Sequence, residues 1–203
     1  MLTNAGEFDH RGYVVLREVL PRSTILFLHR YCLGYAKDPT ARGDELVPGA
    51  KAGYGHPCME RILQQLVPAF EAASGRTLLP TYSYFRVYRQ GDVLRRHVDR
   101  PACEISVSLC LGYSQCEDWP LWVSGPQGEA AASLRPGDAV VYKGTEVEHW
   151  REPLTGESVA QVFLHYVDAF GPHTAWRFDK RPGLRREWAQ GNPDGEPLTT
   201  GPL

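Results

Sequence analysis

The chain has 203 residues, 42% of them hydrophobic, and a formal net charge of -2, which suits one domain with a buried core. The small net charge gives no general reason to expect nucleic acid or an anionic membrane as a partner. The sequence contains no apolar run of about 18 residues, and Met1–Glu7 lacks the basic start and apolar segment of a signal peptide. Its five cysteines include no CxxC pair, so we expect a reduced, cytoplasmic protein without a disulfide framework.

The first third of the sequence predicts one strand and two helices. Gly12–Leu16 is apolar and β-branched, which is typical of a short buried strand. A helix with Ser23 as its N-cap is expected to follow. Residues 37–57 are rich in glycine, proline and charge and predict a long loop that could serve as a lid. A second helix is predicted over Cys58–Ala73, with a kink or an early end at Pro68.

From Thr81 onward the hydrophobic period changes from 3.6 to 2, which predicts strands. The predicted strands are Tyr82–Tyr88, Ile105–Leu111, Trp119–Val123, Ala139–Tyr142 and Val159–Tyr166. Helices followed by many short strands predict an α+β fold, in which helices brace a sandwich or barrel. We expect a single domain over residues 1–203, with its core at about 8–180 and a flexible tail from Gly183.

His97-Val98-Asp99 is the most informative motif, because residues two apart on an extended segment face the same side. An imidazole and a carboxylate can then bind one metal ion. A second histidine would complete the 2-His-1-carboxylate set that leaves positions open on Fe(II) for a co-substrate and O2. His149 fits this role, since it follows the strand Ala139–Tyr142 and a short loop. The sequence therefore predicts a metal site made of His97, Asp99 and His149.

These motifs resemble those of the Fe(II)/2-oxoglutarate dioxygenases, most closely the small prolyl-4-hydroxylase-like branch. The matching pieces are Gly12–Leu16, Tyr88-x-x-Gly91 ahead of His97-Val98-Asp99, Pro136-Gly137-Asp138 before a hydrophobic strand, and His149. The resemblance implies a double-stranded β-helix (jelly-roll) core and iron held by the two histidines and the aspartate. It also implies oxidation of a substrate C–H bond coupled to decarboxylation of 2-oxoglutarate by O2.

The sequence departs from the family at the co-substrate pocket. The family carries an arginine or lysine about nine residues after the distal histidine, where this chain has Ser158. If Tyr88 takes the place of the tyrosine that contacts the co-substrate in the family, rather than being a core tyrosine, Arg86 lies two residues before it on the same predicted inward face. We therefore expect Arg86 to replace the missing cation, unless it merely pairs with Glu104. Weaker candidates for carboxylate contacts, expected nearer the mouth of the site, are Lys143, Arg96 and Arg151.

Four residues near the predicted ligands are candidates for contact with the prime substrate: Arg100, Arg151, Trp150 and Lys143. If Ser158 faces inward, His165 has the opposite parity and points away from the metal, so we expect it to be packed or at an interface. The predicted substrate is a small molecule, an amino acid or a prolyl residue, and the oligomeric state stays open. Two alternatives are a non-heme iron oxygenase that does not use 2-oxoglutarate and a non-enzymatic jelly-roll binding protein.

Overall fold

The computed structural model describes residues 2–116 and 118–185. The helices of this part are α1 (Asn4–Arg11), α2 (Arg22–Tyr35), α3 (Pro57–Gln65) and α4 (Val67–Ser74). The strands are β1 (Tyr13–Leu16), β2 (Lys51–Tyr54), β3 (Leu78–Arg89), β4 (Leu94–His97), β5 (Ile105–Ser114), β6 (Leu121–Gly125), β7 (Gly128–Ala132), β8 (Ala139–Lys143), β9 (Glu148–Arg151) and β10 (Ser158–Asp168). Two 3-10 segments, Pro101–Cys103 and Thr174–Lys180, complete the described part. None of these helices has the length and apolar character needed to cross a bilayer.

The strands form two sheets in which every neighbouring pair is antiparallel. The larger sheet has the order β1-β8-β5-β10-β3-β2, and the smaller one has the order β4-β9-β6-β7. Sequence neighbours are therefore often separated in the sheets, as β3 and β4 are. Helices together with antiparallel sheets confirm the predicted α+β class.

Two apolar layers cover the two faces of the larger sheet. On one face, residues such as Val162 and Leu164 of β10 pack against the helices in one hydrophobic cluster. On the other face, Val159 and Phe163 belong to a second cluster that includes Val123 of the smaller sheet. Full burial of each such side chain contributes about 1.5–3 kcal/mol, so both layers hold the sheet in place. We call the space between the two sheets the interior.

Several local expectations for the helices and strands are confirmed, and others are wrong. The second helix does break before Pro68, since α3 ends at Gln65 and α4 begins at Val67. Ser23 is not an N-cap: α2 begins at Arg22 after Pro21, without a side-chain cap. The loop predicted over residues 37–57 contains β2, which pairs with β3. Most of the predicted flexible tail lies outside the described residues.

The glycines of the Tyr88-x-x-Gly91 and Pro136-Gly137-Asp138 motifs lie in tight turns. Gly91 and Gly137 have φ values of 86° and 97°, in the left-handed region that glycine adopts without steric cost. Asp138 accepts hydrogen bonds from the backbone N–H of Arg135 at 3.0 Å and of Glu18 at 3.1 Å. The Pro136-Gly137-Asp138 turn, which precedes β8, is therefore hydrogen-bonded to the segment that follows β1.

Candidate metal centre

Three side chains converge at one end of the interior. His97 at the end of β4 is paired in register with His149 of β9, so the two imidazoles lie side by side with ring centroids 4.3 Å apart. Oδ1 of Asp99 lies 3.7 Å from Nε2 of His97 and 3.5 Å from Nε2 of His149. Two donors at right angles on a metal ion, each about 2.1 Å away, would be ~3 Å apart. The observed separations are somewhat longer than this, but all three donor atoms lie within 4.8 Å of one another, so together they could hold a single metal ion.

The atom of each side chain that faces away from this point has its own hydrogen-bond partner. Nδ1 of His97 lies 2.7 Å from the carbonyl oxygen of Arg95, and Nδ1 of His149 lies 3.0 Å from that of Val147. A carbonyl can only accept, so each Nδ1 carries a proton, and in the neutral ring the lone pair lies on Nε2. The Tyr142 hydroxyl lies 3.5 Å from Nε2 of His149, on the side where a metal would bind. Oδ2 of Asp99 accepts from the Ser106 hydroxyl at 2.7 Å, which leaves Oδ1 for a metal.

The charge state of this group also suits a metal ion. Burial alone would raise the pKa of Asp99, but His149 and further hydrogen bonds outweigh it and hold that pKa well below its usual range. Burial, together with repulsion from His149, lowers the pKa of His97. Near neutral pH, Asp99 is thus ionised and His97 neutral, as metal ligands must be.

Gly144 allows the backbone to approach Asp99 closely, a role that no sequence motif indicated. A Cβ atom at this position would clash most closely with the carbonyl oxygen of Cys103 and would also lie 2.7 Å from both Oδ2 of Asp99 and the hydroxyl of Ser106. The carbonyl of Gly144 also accepts the backbone N–H of Asp99 at 2.8 Å. Gly144 therefore holds the backbone of Asp99 and leaves room for its carboxylate and for Ser106.

His165 lies beside this centre, and the prediction that it points away was wrong. Its side chain is buried between the sheets, with its ring over Tyr82 at 4.5 Å between centroids. Nδ1 of His165 is 3.0 Å from the Ser106 hydroxyl, which in turn contacts Asp99. Burial lowers the pKa of His165 to about 4, so the neutral imidazole donates to Ser106. His165, Asp99 and Cys103 form a second group whose ligand atoms lie within 4.8 Å of one another.

Arg86 faces the interior as predicted, but it already has an anionic partner. Its Nε donates to Oδ2 of Asp44 at 2.7 Å, and the hydroxyl of Tyr84 donates to the same oxygen at 2.6 Å. The alternative partner Glu104 instead accepts the backbone N–H of Asp168 at 2.9 Å. Burial alone would lower the pKa of Arg86, but its anionic and phenolic neighbours outweigh it and raise that pKa. The guanidinium is thus neutralised by a residue of the loop between α2 and β2.

Tyr88, the second predicted co-substrate residue, also faces the interior. Its side chain is fully buried, and its hydroxyl accepts from Nη1 of Arg86 at 3.3 Å. Its ring packs edge-on against Trp119 with centroids 4.8 Å apart. Tyr88 therefore lies beyond Arg86 on the same face of β3.

Arg151 was expected near the mouth, but the structure buries it. It lies two residues after His149 on the same face of β9, and only 1% of its surface is exposed. Its guanidinium donates to the Trp119 carbonyl and, at 3.3 Å, to the Ser108 hydroxyl, whereas Nε has no partner. Within residues 2–116 and 118–185, no salt bridge involves Arg151. Burial accordingly lowers the pKa of Arg151.

Three other predicted site residues lie away from the centre. Ser158, at the start of β10, lines the helix side of the larger sheet together with Leu33 and Ala36 of α2. Lys143 also lies on the helix side, with its ammonium group 5.8 Å from the centre of the Phe8 ring. Trp150 alternates with His149 along β9 and stacks on the outer face of the smaller sheet. The expectations that these side chains line the site were therefore wrong.

Arg100 follows the metal-site aspartate and points toward the C-terminal 3-10 segment. Its guanidinium forms two hydrogen bonds with Asp179, at 2.8 and 2.9 Å, and packs over the ring of Tyr82. Phe178, Asp179 and Lys180 all have positive φ, a conformation that non-glycine residues rarely adopt. The bidentate pair thus helps to hold a strained segment beside the metal centre.

No protein-family model matches the chain, and no curated protein matches it in sequence. Solved structures do match it in fold. A prolyl-4-hydroxylase of Pseudomonas putida has a TM-score of 0.65 at 21% identity, over 78% of this chain and 94% of that chain. The α-ketoglutarate-dependent epimerase SnoN of nogalamycin biosynthesis has a TM-score of 0.69 at 14% identity, over 90% of each chain. HygX of Streptomyces hygroscopicus, solved with nickel and 2-oxoglutarate bound, has a TM-score of 0.63 at 13% identity, over 80% of this chain and 85% of that chain.

The chain therefore has the fold of the 2-oxoglutarate- and Fe(II)-dependent oxygenases, prolyl hydroxylases among them. This finding confirms, at the level of the fold, the resemblance that the sequence motifs indicated. At these identities the comparison concerns the fold alone, and the chemistry of the site depends on the residues of this chain.

Proposed function

We propose that this protein is an Fe(II)- and 2-oxoglutarate-dependent oxygenase that hydroxylates a C–H bond of a small molecule, an amino acid or a prolyl residue. The observation that carries the proposal is the convergence of His97, Asp99 and His149, each with its free donor atom toward one point. The two antiparallel sheets with an interior between them support a double-stranded β-helix as the core.

The donor set fits Fe(II). Two imidazoles and one ionised carboxylate would supply three ligands to the ion and leave its remaining positions open. His149 is buried, whereas the side chains of His97 and Asp99 keep 19% and 14% of their surface exposed, so the site is reached from one side. Bound Fe(II) would activate O2 for decarboxylation of 2-oxoglutarate and oxygen insertion into a C–H bond.

The overall reaction balances without a further reductant. 2-Oxoglutarate, O2 and the substrate R–H give succinate, CO2 and R–OH, with one oxygen atom in succinate and the other in the alcohol. The keto acid is oxidised by two electrons on losing CO2, and the C–H carbon is oxidised by two as well. The chain has to hold both substrates and keep water from the reacting atoms.

The residues around the centre suit that task. The interior behind His149 is lined by buried aromatic side chains, among them Tyr142 and Phe163. The Tyr142 ring packs against His149 with centroids 4.7 Å apart, which restricts the imidazole to one orientation. On the open side, Asp44 and Asp179 hold the α2–β2 loop and the C-terminal 3-10 segment near the centre. These two segments would supply the contacts that choose the prime substrate.

The test is an anaerobic titration of the Fe(II)-loaded protein with 2-oxoglutarate. We expect a visible charge-transfer band that saturates at one equivalent, and succinate formation once O2 and a substrate are admitted. Asp99→Ala should abolish the band and the turnover, whereas Asp38→Ala, which removes an exposed acid, should change neither. Undiminished turnover in Asp99→Ala, or a protein that binds Fe(II) but neither gives the band nor forms succinate, would exclude the proposal.

A further inference from the structure

The interior contains one buried cation that forms no salt bridge with a described residue, since the charge of Asp118 acts on it only from beyond salt-bridge distance. Arg151 is the largest of the fully buried side chains there, and its Nε has no hydrogen-bond partner. Burying a guanidinium without an anionic partner costs several kcal/mol of folding free energy. An anionic ligand that binds to Arg151 would offset this cost. Arg86, the other buried arginine of the interior, has its anion in Asp44 at 2.7 Å.

Arg151 is placed to contact a ligand that also reaches the metal centre. It lies two positions after His149, so the two Cα atoms are about 6.6 Å apart along the same face of β9. That separation is similar to the length of a five-carbon chain. A dicarboxylate bound at the metal by one end could therefore present its other end to the guanidinium.

Neutral polar groups surround Arg151 in an otherwise apolar layer. The Ser108 hydroxyl lies 3.3 Å from its Nη2 and 3.3 Å from Oε1 of Gln161. Gln161 is 2% exposed and belongs to β10, and Ser108 belongs to β5, so three strands contribute to this polar group. A hydroxyl and an amide can both donate to a carboxylate beside the bidentate guanidinium.

We infer that Arg151, with Ser108 and Gln161 beside it, binds the distal carboxylate of 2-oxoglutarate, so that the cation comes from β9. This inference rests on the proposed function and assigns the co-substrate pocket of that site. It replaces the expectation that Arg86 binds this carboxylate, since a second carboxylate there would be repelled by Asp44 or would have to displace it. It also explains why the family's cation can be replaced by Ser158 here: Ser158 lies on the helix side of the sheet, away from the interior, where a cation could not reach the co-substrate.

The test compares two ligands on the protein loaded with Co(II), which holds the site without turnover. 2-Oxoglutarate carries the distal carboxylate, and 2-oxopentanoate has the same carbon chain without it. Isothermal titration of the wild type should show a preference for 2-oxoglutarate of roughly 100-fold, the effect expected of a desolvated charge pair. Arg151→Met should remove this preference while 2-oxopentanoate binds unchanged, and Arg151→Lys should keep about a tenth of it.

Two control variants separate the local effect from a general loss of positive charge. Arg86→Met removes the rival cation and should retain the preference, as should Arg96→Met, which removes an exposed arginine of the smaller sheet. Co(II) stoichiometry shows in each variant that the metal centre is intact. A wild type that binds both ligands equally, or a preference lost in Arg86→Met but kept in Arg151→Met, overturns the inference.

The two proposals fail in different ways. Metal-loaded wild type that binds neither keto acid contradicts both the oxygenase function and the role of Arg151. If Arg151→Met binds 2-oxoglutarate as tightly as the wild type, the oxygenase proposal stands and only the pocket assignment falls. If Arg151→Met does not fold, Arg151→Lys replaces it: a reduced preference supports the assignment, and a preference equal to that of the wild type overturns it.

Discussion

Asp44 is the residue through which the loop between α2 and β2 is attached to the interior. One oxygen accepts the backbone N–H groups of Leu46 and Val47 at 3.0 Å each, and the other accepts from Tyr84 and Arg86. The side chains of Asp44 and Arg86 are only 11% and 8% exposed. Loss of the carboxylate charge would therefore leave a nearly buried guanidinium without an anion.

The substitution Asp44→Asn keeps the shape of the side chain and removes its charge. Removing one partner of a buried ion pair costs about 3–5 kcal/mol, and we take the lower end because the pair keeps some exposure. For a chain of this size, about 3 kcal/mol corresponds to a fall in Tm of about 9 °C. The loop should also become sensitive to protease, since its attachment to β3 is weakened.

Urea denaturation and limited proteolysis measure the two effects. Asp38→Asn is the matched control, because Asp38 lies exposed in the same loop and should change the free energy of unfolding by less than about 0.5 kcal/mol. The double variant Asp44→Asn, Arg86→Met should recover much of the loss, because it also removes the guanidinium that lost its anion. A loss below about 1 kcal/mol in Asp44→Asn, with the loop still protected, would refute this reasoning.

Two further predictions concern the residues around Asp99. The pKa of His165 is lowered to about 4 in the folded chain, whereas an unfolded histidine has a pKa of about 6.5. Between about pH 6.5 and 4 the unfolded chain therefore binds a proton at this residue and the folded chain does not, so the free energy of unfolding should decline over this range. This decline amounts to at most about 3 kcal/mol, and it should be smaller in His165→Gln; identical pH profiles in urea denaturation would disprove the role of this burial. Gly144→Ala places a Cβ 2.7 Å from Asp99 Oδ2 and should weaken Co(II) binding about 10-fold or more, as measured by titration, whereas unchanged affinity would show that the backbone yields there.

The candidate metal centre was predictable from sequence because its signal lies in the type and spacing of the residues. The pattern is a histidine and an aspartate two residues apart, followed by a second histidine after the next strands. It predicts the metal ligands even when the ends of the strands are predicted wrongly. The structure accordingly brings His97, Asp99 and His149 together, although β4 and β9 were not predicted as strands. Those strands are only four residues long and contain arginine and glutamate, so they lack a clear hydrophobic alternation.

The interior side of β10 was not predictable in the same way. β10 is a central strand with both faces buried, so apolar residues occupy both parities and periodicity cannot tell the helix side from the sheet side. Ser158 was placed facing inward because it stands where the family has its arginine or lysine. Since side chains alternate along a strand, this placement predicted that His165 faces away from the centre. The structure has the opposite parity, with Val159, Gln161 and His165 facing the interior.

The partners of the arginines depend on tertiary contacts that no local pattern reports. Arg86 pairs with Asp44, 42 residues earlier in the chain. Arg151 was expected nearer the mouth of the site, but only 1% of its surface is exposed. That expectation was wrong, and the burial of Arg151 without a salt bridge among the described residues is the observation from which we infer a bound carboxylate.

The most direct test of the metal centre is a Co(II) titration of the metal-free protein, followed by visible absorption and by the metal content of the purified complex. We predict one ion per chain and loss of binding in each of His97→Ala, Asp99→Ala and His149→Ala. Cys103→Ser and His165→Gln should keep the ion, although both residues approach Asp99 from the other side. Binding that survives His149→Ala but is lost in His165→Gln would contradict the assigned centre, because the metal would then belong to the second group.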